Sequence, residues 1–347
     1  MSRPTTAALM GVFFLLAVQS RWAPMASGQQ LFTWKELRID IPSTPGGGGG
    51  SYDGYVRALG RHITKYLPGH PTFVPVNRPG AGGITSANYL YNEAPKDGSY
   101  IGMLQRGVPS DRMLRGDASS AKFDSEKFNW IGSMNKELTV FLMWQQPPIT
   151  LKDLQSGHEI SVPATGSGSD ADLYARMTAA ILGAKIKVIL GYPGSDQMYL
   201  AMEGKEINGI AAISWAGLKV DKADWLKNGK AAPILVQALA RDPALPSVPA
   251  LGEFAKTDLD RRLIEFITFR QQIGRPLVAP PGVPMDRIET LRNAFDAAMR
   301  DPDMIDDARH MSMEINWLPG DVVAKGVARM NRTSPDVIAR VRELFRQ

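Results

Sequence analysis

The sequence predicts an α/β protein built from two lobes, and three observations predict it. Short apolar runs alternate with segments of helical periodicity along the chain, a pattern that favours mainly parallel sheets flanked by helices. These runs are too many for one sheet and no low-complexity linker divides them, so two lobes joined by crossing strands are expected. Three Gly-rich loops, Gly46–Ser51, Gly80–Gly83 and Gly166–Ser169, each follow an expected strand and precede an expected helix.

The chain of 347 residues begins with a segment set apart from this pattern. Arg3 gives a positive start, and Ala7–Val18 is an uncharged apolar run too short to span a bilayer comfortably. Small residues near Ala26–Gly28 suit cleavage, so residues 1–28 read as a signal peptide and the mature chain as exported and soluble.

Leu37–Ile41 is the first expected strand. After the glycines, Tyr52, Tyr55, Val56, Leu59, Ile63 and Tyr66 recur at helical spacing until Pro68 and Gly69. Phe73–Val76 reads as a strand, Ile84 to Tyr91 as a helix and Tyr100–Leu104 as a strand. The middle of the chain repeats this logic. Glu159–Val162, Lys185–Leu190, Ile207–Ile213 and Ala232–Leu239 read as strands, with helices around Leu173–Ile181 and Met198–Met202 between them. Near the end, Pro284 opens a helix with Ile288, Leu291, Phe295 and Met299 inward, and the last forty residues read as helical with breaks at Pro319 and Pro335.

Charge and composition exclude several classes. Formal net charge is +5, but Lys and Arg are interspersed with Asp and Glu, so no clustered basic face for nucleic acid is expected. Arg3 and Arg21 lie in the leader, leaving 38 basic against 35 acidic residues. There is no cysteine, which removes disulfides and thiolate nucleophiles and leaves stability to the core. His62, His70, His158 and His310 show no metal-ligand spacing, and no acid–base–nucleophile set is found, so neither a metal, a cofactor nor an enzymatic activity is expected.

The loops carry the chemistry. The first turn of a helix presents free backbone N–H groups and the positive end of its dipole. Glycine lets those groups converge on a ligand, and the natural target is an anion. A nucleoside phosphate is disfavoured, because no G-x-x-x-x-G-K-[ST] run is present and Thr85 replaces the last glycine of a dinucleotide fingerprint in "GAGGIT". A compact carboxylate remains. Ser169 either caps its own helix or touches the ligand. Asp170 and Asp172 are expected to face solvent and complement the helix dipole; alternatively one of them, or Asp53, binds an ammonium or hydroxyl of the ligand. Tyr52, Tyr192 and Trp215 lie at loop edges as candidate pocket aromatics, with a core role equally open to Trp215, whereas Trp130, Trp144 and Trp225 are assigned to packing.

"TPGGGGGSYDGYVRALGRHI", "VNRPGAGGITSANYLYNEAPKDGSYIG", "FNWIGSMN", "GYPGSDQMYLAMEGKEINGIAAISWAGLK", "ALPSVPALGEF" and "LVAPPGVPMDRIETLRNAF" resemble the tripartite tricarboxylate transporter receptor family, the Bug-type periplasmic solute-binding proteins. The matching stretches run from about Arg38 to Phe295. The resemblance implies a periplasmic-binding fold of type II-like form that closes on a small organic acid, with residues 29–140 and 240–347 as one lobe and 141–239 as the other. It implies a periplasmic monomer that delivers its ligand to a membrane permease of large and small subunits, or signals to a membrane sensor domain; a dinucleotide-dependent enzyme is the remaining alternative.

The ligand would be held mainly by backbone amides and ordered water, without a dedicated arginine. Carried onto this chain, the ligand residues of the first lobe are Gly47, Gly48, Gly49, Tyr52 and Asp53 with Gly80, Ala81 and Gly82. Those of the second are Thr165, Gly166, Ser167, Gly168 and Ser169, then Tyr192 and Ser195 of the next loop, and Ser214 and Trp215. One departure stands out. The family form has three glycines, a small residue and Asp, where this chain has five glycines before Ser51, Tyr52 and Asp53.

Overall fold

The computed structural model describes residues 33–46, 52–192 and 194–344. The leader and the glycines Gly47–Gly50 lie outside these residues, as do Ser51 and Pro193. Among the described residues no helix is long and apolar enough to cross a membrane.

The strands are β1 (Glu36–Ile41), β2 (Thr72–Asn77), β3 (Tyr100–Met103), β4 (Asn129–Ser133), β5 (Thr139–Trp144), β6 (Ile160–Ala164), β7 (Ile186–Leu190), β8 (Gly209–Ser214), β9 (Ala231–Val236), β10 (Pro276–Ala279) and β11 (Leu318–Pro319). Six form one sheet in the order β11-β4-β10-β3-β1-β2. There β1 pairs in parallel with both β2 and β3, Ile39 lying opposite Pro75 on one side and Ile101 on the other. A strand hydrogen-bonded on both sides and covered by helices must be apolar, and Leu37, Ile39 and Ile41 are fully buried. β5 lies between β8 and β9 in a second sheet, and β6 and β7 form a parallel pair.

The α/β class holds, but the sheets are mixed rather than mainly parallel. β10 runs antiparallel to β3 and β4, β11 runs antiparallel to β4, and β5 opposes both β8 and β9. The reason is the path of the chain. It leaves the six-stranded sheet between Ser133 and Thr139 and returns at Pro276, and the returning strand enters against the direction of β3 and β4. The two crossing segments are tied to each other: Glu137 N–H donates to Gln271 O at 2.7 Å, Gly274 N–H to Asn135 O at 3.0 Å, and Met134 N–H to Arg275 O at 3.0 Å.

A continuous core joins the two groups of strands. Helix Asp258–Gln272, opened by a Thr257/Asp260 capping box, places Leu263, Ile264 and Ile267 against Tyr174 of helix Asp170–Leu182 and against Val323, Val327, Val337 and Val341 of the two C-terminal helices. Burying each such side chain contributes about 1.5–3 kcal/mol. The assignment of Trp130, Trp144 and Trp225 to packing holds. Trp225 is fully buried with Trp144 and Tyr199 edge-on at 5.1 and 5.4 Å, and Trp130 is buried beside Phe128.

Candidate functional site

The loops leaving β1, β2 and β3 open on the same side of their sheet, because those strands are parallel. They face the loops leaving β6, β7 and β8 across a cleft of about 1070 Å³. Each Gly-rich loop is braced from behind by a buried aspartate.

The first loop is described at its two ends. Gly46 N–H donates to Asp53 Oδ2 at 3.0 Å, and Asp53 Oδ1 accepts Asn77 Nδ2 at 2.9 Å. Asn77 Nδ2 also reaches Ser43 O at 3.0 Å. Burial pushes the Asp53 pKa up, but the bonds from Arg57, Asn77 and Gly46 outweigh it and hold the group at about 2. Asp53 thus ties the end of the glycine run to the start of helix Tyr52–Ile63 and does not line the cleft, contrary to its expected ligand role. Gly47, Gly48 and Gly49 lie outside the described residues. Tyr52 lines the cleft, its hydroxyl accepting Arg106 N–H at 3.1 Å.

In the second loop four successive residues take positive φ: Gly80 at 136°, Ala81 at 46°, Gly82 at 62° and Gly83 at 89°. Only a glycine-rich run turns so sharply at small cost. A Cβ on Gly80 would sit 2.6 Å from Thr85 Oγ1. The flanking residues share one anchor, since Arg78 Nε at 3.2 Å and Ser86 Oγ at 2.8 Å both donate to the fully buried Asp40, as does Tyr100 OH at 3.1 Å. Burial raises the Asp40 pKa against these bonds. Ala81 and Gly82 reach the cleft; Gly80, at the bend behind them, does not line it.

In the third loop Asp172 Oδ2 accepts Gly168 N–H at 2.8 Å and Asp172 Oδ1 accepts Arg176 Nε at 2.6 Å. Ser169 Oγ accepts Asp172 N–H at 3.4 Å, so Ser169 caps its helix while also lining the cleft. Thr165, Gly166, Ser167 and Gly168 line it too. From the neighbouring loops Ser195 and Ser214 reach the cleft, but Tyr192 and Trp215 do not line it. Both rings pack on the apolar cluster around Val140, Met198 and Ile213, and Lys219 Nζ stands 5.9 Å from the Trp215 ring centre.

The expectation that Asp170 and Asp172 face solvent is also corrected. Asp172 is fully buried, and Asp170 lines the cleft within an ion network that sequence reading missed. Arg106, just after β3, bridges Asp170 (2.9 Å from Nε) and Glu137. Arg270 Nη1 lies 2.6 Å from Asp170 Oδ1, and Arg275 Nη1 lies 3.4 Å from Glu137 Oε2. Ser214 Oγ donates to Glu137 Oε1 at 3.1 Å. The Arg275 guanidinium also stands over the rings of Tyr52 and Tyr55 at 4.6 and 4.8 Å.

Burial alone would neutralise these carboxyls, but Arg106 and Arg275 hold Glu137 below its usual range, and Arg106 and Arg270 hold Asp170 well below. All are charged at neutral pH. The resemblance implied no dedicated arginine; here four guanidiniums line the cleft, those of Arg106, Arg115, Arg270 and Arg275, each bound to a carboxylate of the protein. Arg106 lies in the loop that leaves β3, and strand ends are where ligands bind. Glu137 and Arg275 lie in the crossing segments, where no local periodicity marks them.

The fold recurs in solved proteins. A TctC solute-binding protein from Polaromonas, without ligand, superposes with a TM-score of 0.66 at 22% identity, covering 90% of this chain and 98% of that one. MatC from Rhodopseudomonas palustris with bound malate gives 0.60 at 19% identity over 90% and 100%. A second R. palustris protein, with adipate, gives 0.59 at 18% identity over 87% and 97%. These are two-lobed periplasmic binding proteins. No curated protein sequence matches the chain. The model of the tripartite tricarboxylate transporter family receptor matches residues 56–339. Its matching span takes in the second and third loops, the crossing segments and the ion network, and the chain belongs to this family of solute-binding receptors, which are not enzymes.

Proposed function

We propose that this protein is a periplasmic receptor that captures a small carboxylate between its lobes and delivers it to a tripartite permease with a large and a small membrane subunit. In this reading residues 1–28 direct export and are removed. Residues 29–140 with 240–347 form one lobe and residues 141–239 the other, and they close by rotation about the crossing segments. The single observation that carries the reading is the convergence of aspartate-braced Gly-rich loops on one cleft, with Ala81 and Gly82 on one wall and Gly166–Ser169 on the other.

Each backbone amide or serine hydroxyl aimed at a carboxylate contributes about 1.5–3 kcal/mol, so a few suffice for the roughly −8 kcal/mol of micromolar binding. A cleft of about 1070 Å³ is roomier than a small acid fills, which favours a receptor that closes on its ligand. The ligands of the two R. palustris relatives, malate and adipate, are carboxylates of this size class. A thermal-shift screen of mono-, di- and tricarboxylates on the mature protein tests the reading, since ligand at a hundredfold excess over Kd adds about 2.7 kcal/mol of stability. Small-angle scattering with the best hit should show compaction. No stabilisation by any acid in the panel would overturn it.

A further inference from the structure

We infer that Asp170 sets ligand specificity by charge, making the cleft a site for an acid of net charge −1 in preference to one of −2. The inference rests on the carboxylate-receptor reading above and deepens it. Among the described residues the charged groups lining the cleft are the arginines 106, 115, 270 and 275 against Asp111, Glu137 and Asp170. Four guanidiniums against three carboxylates leave one positive charge.

The positions that a second ligand carboxylate would need are already filled by the protein. Asp170 spends one oxygen on Arg106 and the other on Arg270, at 2.9 and 2.6 Å. Glu137 engages Arg106 and Arg275 with one oxygen and Ser214 with the other. A ligand carboxylate seated on the loop amides satisfies the one surplus charge. A second carboxylate must evict Asp170 or remain unpaired where closure excludes water, and an unpaired charge there is strongly disfavoured. Repulsion from Asp170 adds to the discrimination.

The test uses pairs of equal length and shape that differ by one charge: succinate and its half-amide, glutarate and its half-amide, adipate and its half-amide. Affinities are measured by calorimetry at neutral pH. In the wild type the half-amide of the best-fitting length should bind roughly tenfold or more tighter than its diacid. Asp170→Asn keeps the shape, raises the surplus to two positive charges and should reverse that order. A diacid that binds the wild type as tightly as its half-amide, or tighter, overturns the inference alone, without recourse to the variant. An unchanged order in a folded Asp170→Asn protein, checked by circular dichroism, overturns it as well. Binding by no member of any pair, together with an empty carboxylate screen, overturns the receptor reading and this inference with it.

Discussion

Asp172 Oδ2 accepts the backbone N–H of Gly168 at 2.8 Å, while Asp172 N–H is held by Ser169 Oγ. One fully buried side chain therefore sets the shape of the loop in front of its own helix. Asp53 holds Gly46 at the edge of the first loop, and Asp40 holds Arg78 and Ser86 on either side of the second. None of these three carboxylates lines the cleft. Asp40 and Asp172 brace from behind the segments from which Ala81, Gly82 and Gly166–Ser169 reach it, in the way that a preorganised site requires.

Replacing Asp172 by alanine removes the carboxylate partner of Arg176, leaving it only Leu344 O, and frees the Gly168 amide. Breaking such a buried pair costs about 3 kcal/mol or more. The expected result is a lowered urea midpoint together with weakened ligand binding, measured by equilibrium unfolding and calorimetry. Unfolding unchanged from the wild type would refute the bracing role.

Asp53 predicts an acid limb in the stability profile. Its folded pKa of about 2 lies below the ordinary aspartate value of about 3.9. Its contribution is therefore fully present above about pH 4 and is lost as pH falls through about 2, and the shift corresponds to about 2 kcal/mol. The Asp53→Asn variant should be less stable than the wild type at neutral pH, with the gap narrowing between pH 4 and pH 2. A constant gap across that window would show that ionisation of Asp53 plays no part.

Two glycines separate folding from binding. Gly80 lies at φ 136° with Thr85 Oγ1 2.6 Å from any added Cβ, so Gly80→Ala should destabilise the fold by about 1–3 kcal/mol. At Gly166 an added Cβ meets nothing within 4 Å and the residue lines the cleft. Gly166→Ala should leave the melting temperature of the free protein within the small range of surface changes, about 0.5 kcal/mol, yet reduce affinity for the acid. If Gly166→Ala binds as well as the wild type, the third loop is not a ligand contact.

The Arg106–Asp170 pair joins the loop after β3 to the helix after β6. A double-mutant cycle with Arg106→Ala and Asp170→Asn should give a coupling of about 1–3 kcal/mol in free-protein stability. The coupling should change little between low and physiological salt, because both groups are largely shielded from solvent and screening acts weakly there. A coupling near zero would mean that the two residues do not hold the loop and the helix together.

Sequence reading reached the loops and missed the ions, and the reason is physical. β1, β2, β6, β7, β8 and β9 are apolar runs ended by polar or glycine-rich turns, so local pattern marks them. β5 was not assigned. Nor was β10, four residues set among prolines and arginine and too short to show a period. Helix Asp258–Gln272 buries the successive residues Phe266–Gln271 among several neighbours, which erases the single apolar stripe that identifies a surface helix. Arg270 and Arg275 then meet Asp170 and Glu137 across 100 and 138 residues of chain. Pairings at that separation depend on topology, which no local window contains. Acidic residues in a first helical turn ordinarily face solvent and complement the dipole, which is why the pattern predicts solvent for the two aspartates. Here Asp170 meets two arginines and Asp172 closes a turn.

The crossing segments carry a further consequence. Glu137 and Arg275 belong to the strips of chain that are hydrogen-bonded to each other between the sheets, and both also line the cleft. Were the lobes to swing about these strips, the two side chains would stand near the pivot, where displacement is smallest, and that part of the cleft wall would keep its shape in either position.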